Sequence, residues 1–227
     1  MHEVGIRPEI VDRVLARRGR FHLFDRLDPS RTALVAIDMQ TTFCQPGAPA
    51  EVPGSRGIVG SINRLTDALR KMDLPIVWVL HANTHRAGIS DWELFFNYIV
   101  AGDVRERTIE SLAPGRQTVW HELETAPSDL TIVKNRYSAL IPGSSTLERV
   151  LRNLGIDTVL IAGTKTNICC EATARDAMML DFKVVMVSDC CAALSDDEHR
   201  ATLETMIQQF GDVMNADETL AALRKSA

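Results

Sequence analysis

The sequence predicts an α/β fold of three layers, α/β/α, built on a mostly parallel sheet of about six strands. Its apolar runs are short, rich in β-branched residues and continuous rather than alternating, as strands buried on both faces are. Amphipathic segments of helical spacing separate these runs, and such alternation implies parallel strands joined by right-handed crossovers. No internal repeat runs through the 227 residues, so an array architecture is not indicated.

Taken in order, residues 8–18 read as a helix within an N-terminal extension (residues 1–30), placed where it would suit packing on a neighbouring subunit. Residues 32–37 form the first strand. Residues 41–56, with three prolines and two glycines, read as a long loop. Apolar positions 58, 59, 62, 65, 68, 69 and 72 make one helical stripe. The second strand is 75–80, and 81–117 reads as a second long irregular stretch. The third strand is 130–133. A helix follows over 146–154, with Ser144 and Ser145 as candidate caps and Gly155 as its stop. The fourth strand is 158–162, followed by a helix over 167–180, and the fifth strand is 183–187. The last helix covers 196–210, where Ser195 and Glu198 have capping-box spacing. One domain over 1–227, with its core at 31–217, accounts for all of this. Both long loops follow the C-terminal end of a strand, where open α/β sheets bind ligands.

Composition excludes several classes. Against 25 Lys+Arg stand 30 Asp+Glu, a net charge of −5 without a block of one sign. That balance argues against nucleic acid or a membrane surface as the main partner. No apolar run reaches the roughly 18 residues of a membrane span. The start MHEVGIRPEIVDRVLARRGR has no apolar signal region. Five cysteines, an odd number, then suggest reduced thiols and a cytoplasmic location.

The chemistry gathers at three strand ends. Around Gly163 a buried strand turns into a helix that begins near Asn167, so Cys169 falls in the first helical turn. Free N–H groups and the helix dipole favour a thiolate there, and the same groups can hold an oxyanion. This is the arrangement of a nucleophile elbow. The plain alternative is a small residue packing helix on sheet. Asp38 ends the first strand and Lys134 the third. A charge at the end of a doubly buried strand is costly unless paired. The two either close the sheet top as an ion pair or join Cys169 at adjacent strand ends around one crevice. Among the histidines, only His81 has a comparable place.

Three segments carry a resemblance. Ala36-Ile37-Asp38-Met39-Gln40-Thr41-Thr42-Phe43 resembles a strand-D-x-Q-x-x-F motif. Val133-Lys134-Asn135-Arg136-Tyr137-Ser138 resembles K-x-x-x-S. Gly163-Thr164-Lys165-Thr166-Asn167-Ile168-Cys169, followed by Thr173-Ala174-Arg175-Asp176-Ala177, resembles G-x-x-T-x-x-C with T-A-x-x-A. Together and in this order they resemble the isochorismatase-like cysteine hydrolases, and the N-carbamoylsarcosine amidase and ureidoacrylate amidohydrolase branch in particular. The resemblance implies Asp38 as base, Lys134 as orienting cation and Cys169 as nucleophile. It implies a cis Thr164–Lys165 peptide that presents the Lys165 and Cys169 N–H groups as an oxyanion hole. It also implies a cofactor-free amidohydrolase that cleaves a small amide or N-carbamoyl compound through a thioester.

Nicotinamidases of that family bind a metal through an Asp-x-His element. The matching stretch here is Leu80-His81-Ala82-Asn83-Thr84-His85, so no metal is expected, and a His81–His85 pair without an acid is a weak ligand set. Adjacent Cys-Cys pairs do not have zinc spacing, and Cys44, Cys170, Cys190 and Cys191 receive no chemistry. Gln40, Phe43, Asn83, Trp92, Tyr137 and Ile168 are candidate substrate-binding residues, each as readily part of the core. Partners are a small-molecule substrate and further copies of the chain, as a homodimer or homotetramer. The alternatives are a thiol-redox protein, a non-catalytic ligand-binding protein on the same fold, or a nicotinamidase-like hydrolase.

Overall fold

The computed structural model describes residues 2, 4–115 and 117–225; the ends of the expected 1–227 span fall outside this set. Its elements are α1 (Pro8–Arg18), β1 (Thr32–Ile37), α2 (Thr41–Cys44), α3 (Val59–Arg70), β2 (Ile76–His81), β3 (His85–Arg86), β4 (Ile89–Ser90), α4 (Gly102–Ser111), β5 (Leu130–Lys134), α5 (Leu147–Asn153), β6 (Thr158–Thr164), α6 (Glu171–Met179), β7 (Lys183–Ala192), α7 (Asp196–Thr205), β8 (Asp212–Met214) and α8 (Ala216–Arg224). Six strands form one parallel sheet in the order β5-β2-β1-β6-β7-β8. Among the described residues no helix is long and apolar enough to cross a membrane.

Alternate strand residues face opposite helical layers, which explains why the strands read as continuous apolar runs. Leu34, Ala36, Trp78, Leu160 and Val185 join the α3 and α8 residues Ile62, Leu65, Leu220 and Leu223 in one core. Val35, Ile37, Val79, Ile161 and Met186 join Leu151 of α5, Ala174 of α6 and Leu203 of α7 in the other. Ile10 and Val14 of α1 belong to this second core. The N-terminal helix therefore packs Ile10 and Val14 on its own chain, with Arg7 forked onto Glu204.

The chain runs outward from β1 to β2 and β5, then returns to place β6 on the other side of β1. Such a reversal opens a crevice at the strand C-termini. Gly163 closes β6 against β1 there. Its φ is +112°, and a Cβ would lie 2.0 Å from the Ile37 carbonyl oxygen. Gly163→Ala should therefore cost at least ~3 kcal/mol in a urea titration, since neither backbone can yield. A loss below about 1 kcal/mol would show that the two strand ends are not in so close an approach.

Several boundaries differ from expectation. Residues 81–117 are largely ordered into the β3–β4 hairpin, a π-turn over Phe95–Ile99 and α4. The β7 strand continues to Ala192, so Cys190 and Cys191 are buried strand residues and do not follow the strand. The short β8 supplies the sixth strand; its three residues carry no periodic signal of their own. A π-turn at Thr166–Cys170 leads into α6, and another at Met206–Phe210 follows α7. The Ser195–Glu198 capping box is formed as read.

Candidate active site

The residue after β1 is Asp38, and its φ is +54°, a left-handed conformation uncommon outside glycine. Its N–H is held by the Val79 carbonyl at 2.8 Å, and its own carbonyl accepts from Gln40 N. Backbone strain of this kind at the end of a central strand is typical of functional positions. Across the crevice, the Thr164–Lys165 peptide is cis. The chain then enters the π-turn that presents Cys169, where Cys170 N donates to the Lys165 carbonyl.

Lys134 ends β5, which is separated from β1 by β2, so the expected adjacency of its strand end with that of Asp38 does not hold. The side chain spans the gap. Lys134 Nζ lies 2.9 Å from Asp38 Oδ2, and both residues are fully buried. The residue it passes is His81, its register partner at the end of β2. Lys134 Nζ lies 3.1 Å from His81 Nδ1 and donates to the Arg136 carbonyl at 2.9 Å. A carboxylate, an imidazole, an ammonium and a thiol thus converge, since the ligand atoms of Asp38, His81 and Cys169 lie within 4.8 Å of one another.

Burial sets the electrostatics. It pushes the Asp38 carboxyl above its ordinary range, with Lys134 the main opposing influence. It also pushes the Cys169 thiol up, and the nearby Asp38 charge adds to that. Lys134 loses by burial but gains more from Asp38 and Cys169, so its ammonium is held firmly charged. Burial and then the Lys134 charge hold His81 well below its usual range, hence neutral. The resting site is therefore a protonated thiol beside a buried carboxylate–ammonium pair.

The six candidate pocket residues divide. Trp92 stacks on His81 with ring centroids 5.8 Å apart and meets Tyr137 edge-on at 4.7 Å. Tyr137 lies close enough to Cys169 for a thiolate to raise its phenol. Asn83 is buried beside the His81 ring and donates to Asp91 Oδ1 at 2.8 Å. Arg136 holds the same loop, through the Asp91 carbonyl at 2.6 Å, and lies over the Trp92 ring. These residues roof the site. Gln40, expected on the pocket wall, is instead committed to the backbone. It accepts from His81 N at 2.6 Å and donates to the His81 carbonyl and to Gln117. Phe43 is a core residue of the first layer, and Ile168 packs against the second. In the sequence His81 is a histidine at a strand end with no role assigned; its register with Lys134, which brings it into the site, is set by the sheet.

Behind the elbow, buried His199 shares a 2.9 Å hydrogen bond with Thr166 Oγ1 and stacks on His2 at 4.4 Å. Burial holds His199 down to about 4, and His2 adds to this. Its folded value lies below its unfolded value of 6.5, so the unfolded chain takes up the proton first on acidification. Stability should fall between these two pH values by on the order of 3 kcal/mol. Urea midpoints at both pH values will show a smaller acid loss in His199→Gln; equal losses would remove His199 from the account.

The nicotinamidase metal element does not fit. His81 and Asn83 stand in the stretch where Asp-x-His would be, His81 is bonded to Lys134, and His85 packs edge-on against Phe96. Among the described residues, Asp38, His81 and Cys169 are the one potential three-ligand group, and Lys134 lies among them.

Known proteins resemble this chain over most of its length. The model of the isochorismatase domain matches residues 32–218. A probable inactive nicotinamidase of Arabidopsis thaliana is 30% identical over 77% of this chain and 87% of its own. The ureidoacrylate amidohydrolase RutB of Agrobacterium fabrum is 26% identical over 88% of this chain and 93% of its own. Among solved structures, a cysteine hydrolase from Pseudomonas syringae pv. phaseolicola superposes with a TM-score of 0.75 at 28% identity, covering 88% of this chain and 96% of the other.

Proposed function

The chain belongs to the isochorismatase family of hydrolases, and we propose that it is a cysteine amidohydrolase that cleaves a small amide or N-carbamoyl compound through a thioester on Cys169, releasing ammonia. One observation carries this reading: a carboxylate, an ammonium and a cysteine thiol meet, all buried, at the point where the strand order reverses. The likeness to the ureidoacrylate amidohydrolase supports a ureido or carbamoyl substrate. The presence of the cysteine, base and lysine together favours an active enzyme, although one relative is described as inactive.

In this mechanism Asp38 takes the Cys169 proton. Burial raises both groups, so Asp38 becomes a stronger base while the thiol becomes harder to ionise, and the Lys134 charge beside both is what favours the thiolate. Lys134 stays charged and neutralises whichever partner is anionic. The thiolate adds to the substrate carbonyl, and the Lys165 and Cys169 N–H groups receive the oxyanion, each worth roughly 3–4 kcal/mol at comparable sites. Protonated Asp38 gives its proton to the departing nitrogen. The carbon–nitrogen bond breaks, leaving an acyl or carbamoyl thioester. Asp38 then activates the water that frees Cys169. Cys169 keeps only 4% of its surface exposed, so admission of substrate requires the roof of Trp92 and Tyr137 to move.

The test is a panel of linear amides, ureas and N-carbamoyl amino acids, scored for ammonia, with acid-quenched enzyme weighed for an adduct on Cys169. Ammonia and adduct on one compound class are expected. Ligand binding across the panel with neither would turn the assignment to a binding protein. A peroxide-driven cross-link to Cys169 in their place would turn it to a thiol-redox protein.

A further inference from the structure

Asp38, His81 and Cys169 offer one oxygen, one nitrogen and one sulfur within 4.8 Å of one another, each from a residue at most 4% exposed. That donor set is typical of zinc and does not suit magnesium or calcium, which select oxygen alone. Among the described residues, apart from the Lys134 ammonium and the Cys169 thiol, no hydrogen-bond donor meets either Asp38 oxygen, and His81 Nε2 has no well-formed partner. The cation that holds this group together is Lys134, in contact with Asp38 and His81. We propose that the Asp38–His81–Cys169 triangle is a cation site that Lys134 normally occupies, and that a thiophilic divalent ion such as Zn2+ competes for it and thereby inhibits the protein.

The exchange balances without redox change. The Cys169 S–H bond breaks, its proton passes to solvent and a Zn–S bond forms. Neutral His81 supplies a nitrogen lone pair, and Asp38 supplies a carboxylate oxygen. Lys134 gives up its contacts with Asp38 and His81 and keeps the Arg136 carbonyl, 2.9 Å away, as its acceptor. Zinc bonds of roughly 2.0–2.3 Å put tetrahedral ligand atoms about 3.3–3.8 Å apart, so ligand atoms that lie within 4.8 Å of one another need to close in by at most about 1–1.5 Å. The displaced ammonium remains near the ion and repels it, which keeps zinc an inhibitor and prevents it from becoming a resident cofactor.

Direct binding tests this without recourse to catalysis. Zn2+ is titrated into the metal-free protein against a chromogenic chelator, and Co2+ is used to read the thiolate-to-cobalt absorption band. The wild-type protein should bind one ion per chain and show the band, with Mg2+ giving neither. Cys169→Ala should lose the band, and His81→Gln should bind at least about tenfold more weakly. Lys134→Met should bind at least about tenfold more tightly, because a nearby positive charge is gone. Binding that survives Cys169→Ala and His81→Gln unchanged would overturn the proposal, as would Lys134→Met binding no more tightly than wild type. Should Lys134→Met fail to fold, the other two variants still decide. Zinc binding can fail while the amide panel succeeds, so the two assignments stand or fall separately.

Discussion

Cys169→Ala is expected to abolish ammonia release, by a factor of at least ~10^3, while leaving the fold and the substrate affinity in place. The argument rests on where the sulfur sits. Cys169 is presented by a turn wedged between the end of β6 and α6, with the Asp38 carboxylate as the base within reach. Nothing else in the crevice can replace it: Cys170 follows it but points its thiol at the Ala162 carbonyl. Removing one buried sulfur leaves a small cavity and should cost about 1 kcal/mol, within what the two packed cores tolerate. The measurement is a single-turnover assay with thermal unfolding as its control. Turnover within tenfold of wild type in a folded Cys169→Ala protein would remove the cysteine from the mechanism. Cys170→Ala should be the contrasting case, keeping its activity and losing only packing.

The strands were legible because burial on both faces leaves an apolar run that no other context requires. The elbow was legible because glycine, turn and cysteine lie within seven residues of one another. What could not be read is what depends on strand order. Lys134 and Asp38 appear in the sequence as two strand-end charges, and nothing there places β2 between them. Only the sheet shows that the lysine must reach across His81, and so makes His81 part of the site. Gln40 has the same history. A polar residue two positions after the base looks free to meet a ligand, but the bare end of β2 needs both a donor and an acceptor, and its amide supplies them. Asn83, Trp92 and Tyr137 are pocket candidates in the sequence, but the order of the loop over the site was hidden for a different reason. Residues 85–99 hold together through ring contacts and the Asp91 carboxylate, interactions without periodicity.

The second large effect concerns the buried ion pair. Asp38→Asn keeps the shape of the side chain and removes the base, so turnover should fall by roughly 10^2–10^4. It also strands the Lys134 ammonium in a fully buried position, and breaking such a pair from one side typically costs about 3–5 kcal/mol. A loss of activity alone would then be ambiguous between chemistry and unfolding. The double variant Asp38→Asn, Lys134→Met separates the two. Burial outweighs the lysine in setting Asp38, so the carboxylate's folded value lies above its unfolded value of 3.8. By linkage, a group raised in this way adds stability only below its unfolded value and loses it as pH rises through the folded one. Lys134 is raised as well and contributes stability below its unfolded value of 10.5, so at neutral pH the pair's attraction and its burial cost oppose each other, and replacing a buried pair by a neutral one is often neutral or stabilising. An isosteric neutral pair should recover the stability lost in Asp38→Asn, to wild-type level or above, and recover none of the turnover. In the wild type the same raised carboxyl should make kcat/KM fall with acid at a pH above the ordinary carboxylate range, because the protonated form cannot accept the thiol proton. If the double variant is no more stable than Asp38→Asn, Lys134 is not stranded by the loss of Asp38. If Asp38→Asn turns over at a near-normal rate, the base must be sought elsewhere, and His81, the uncharged nitrogen base against Lys134, is the group to change next.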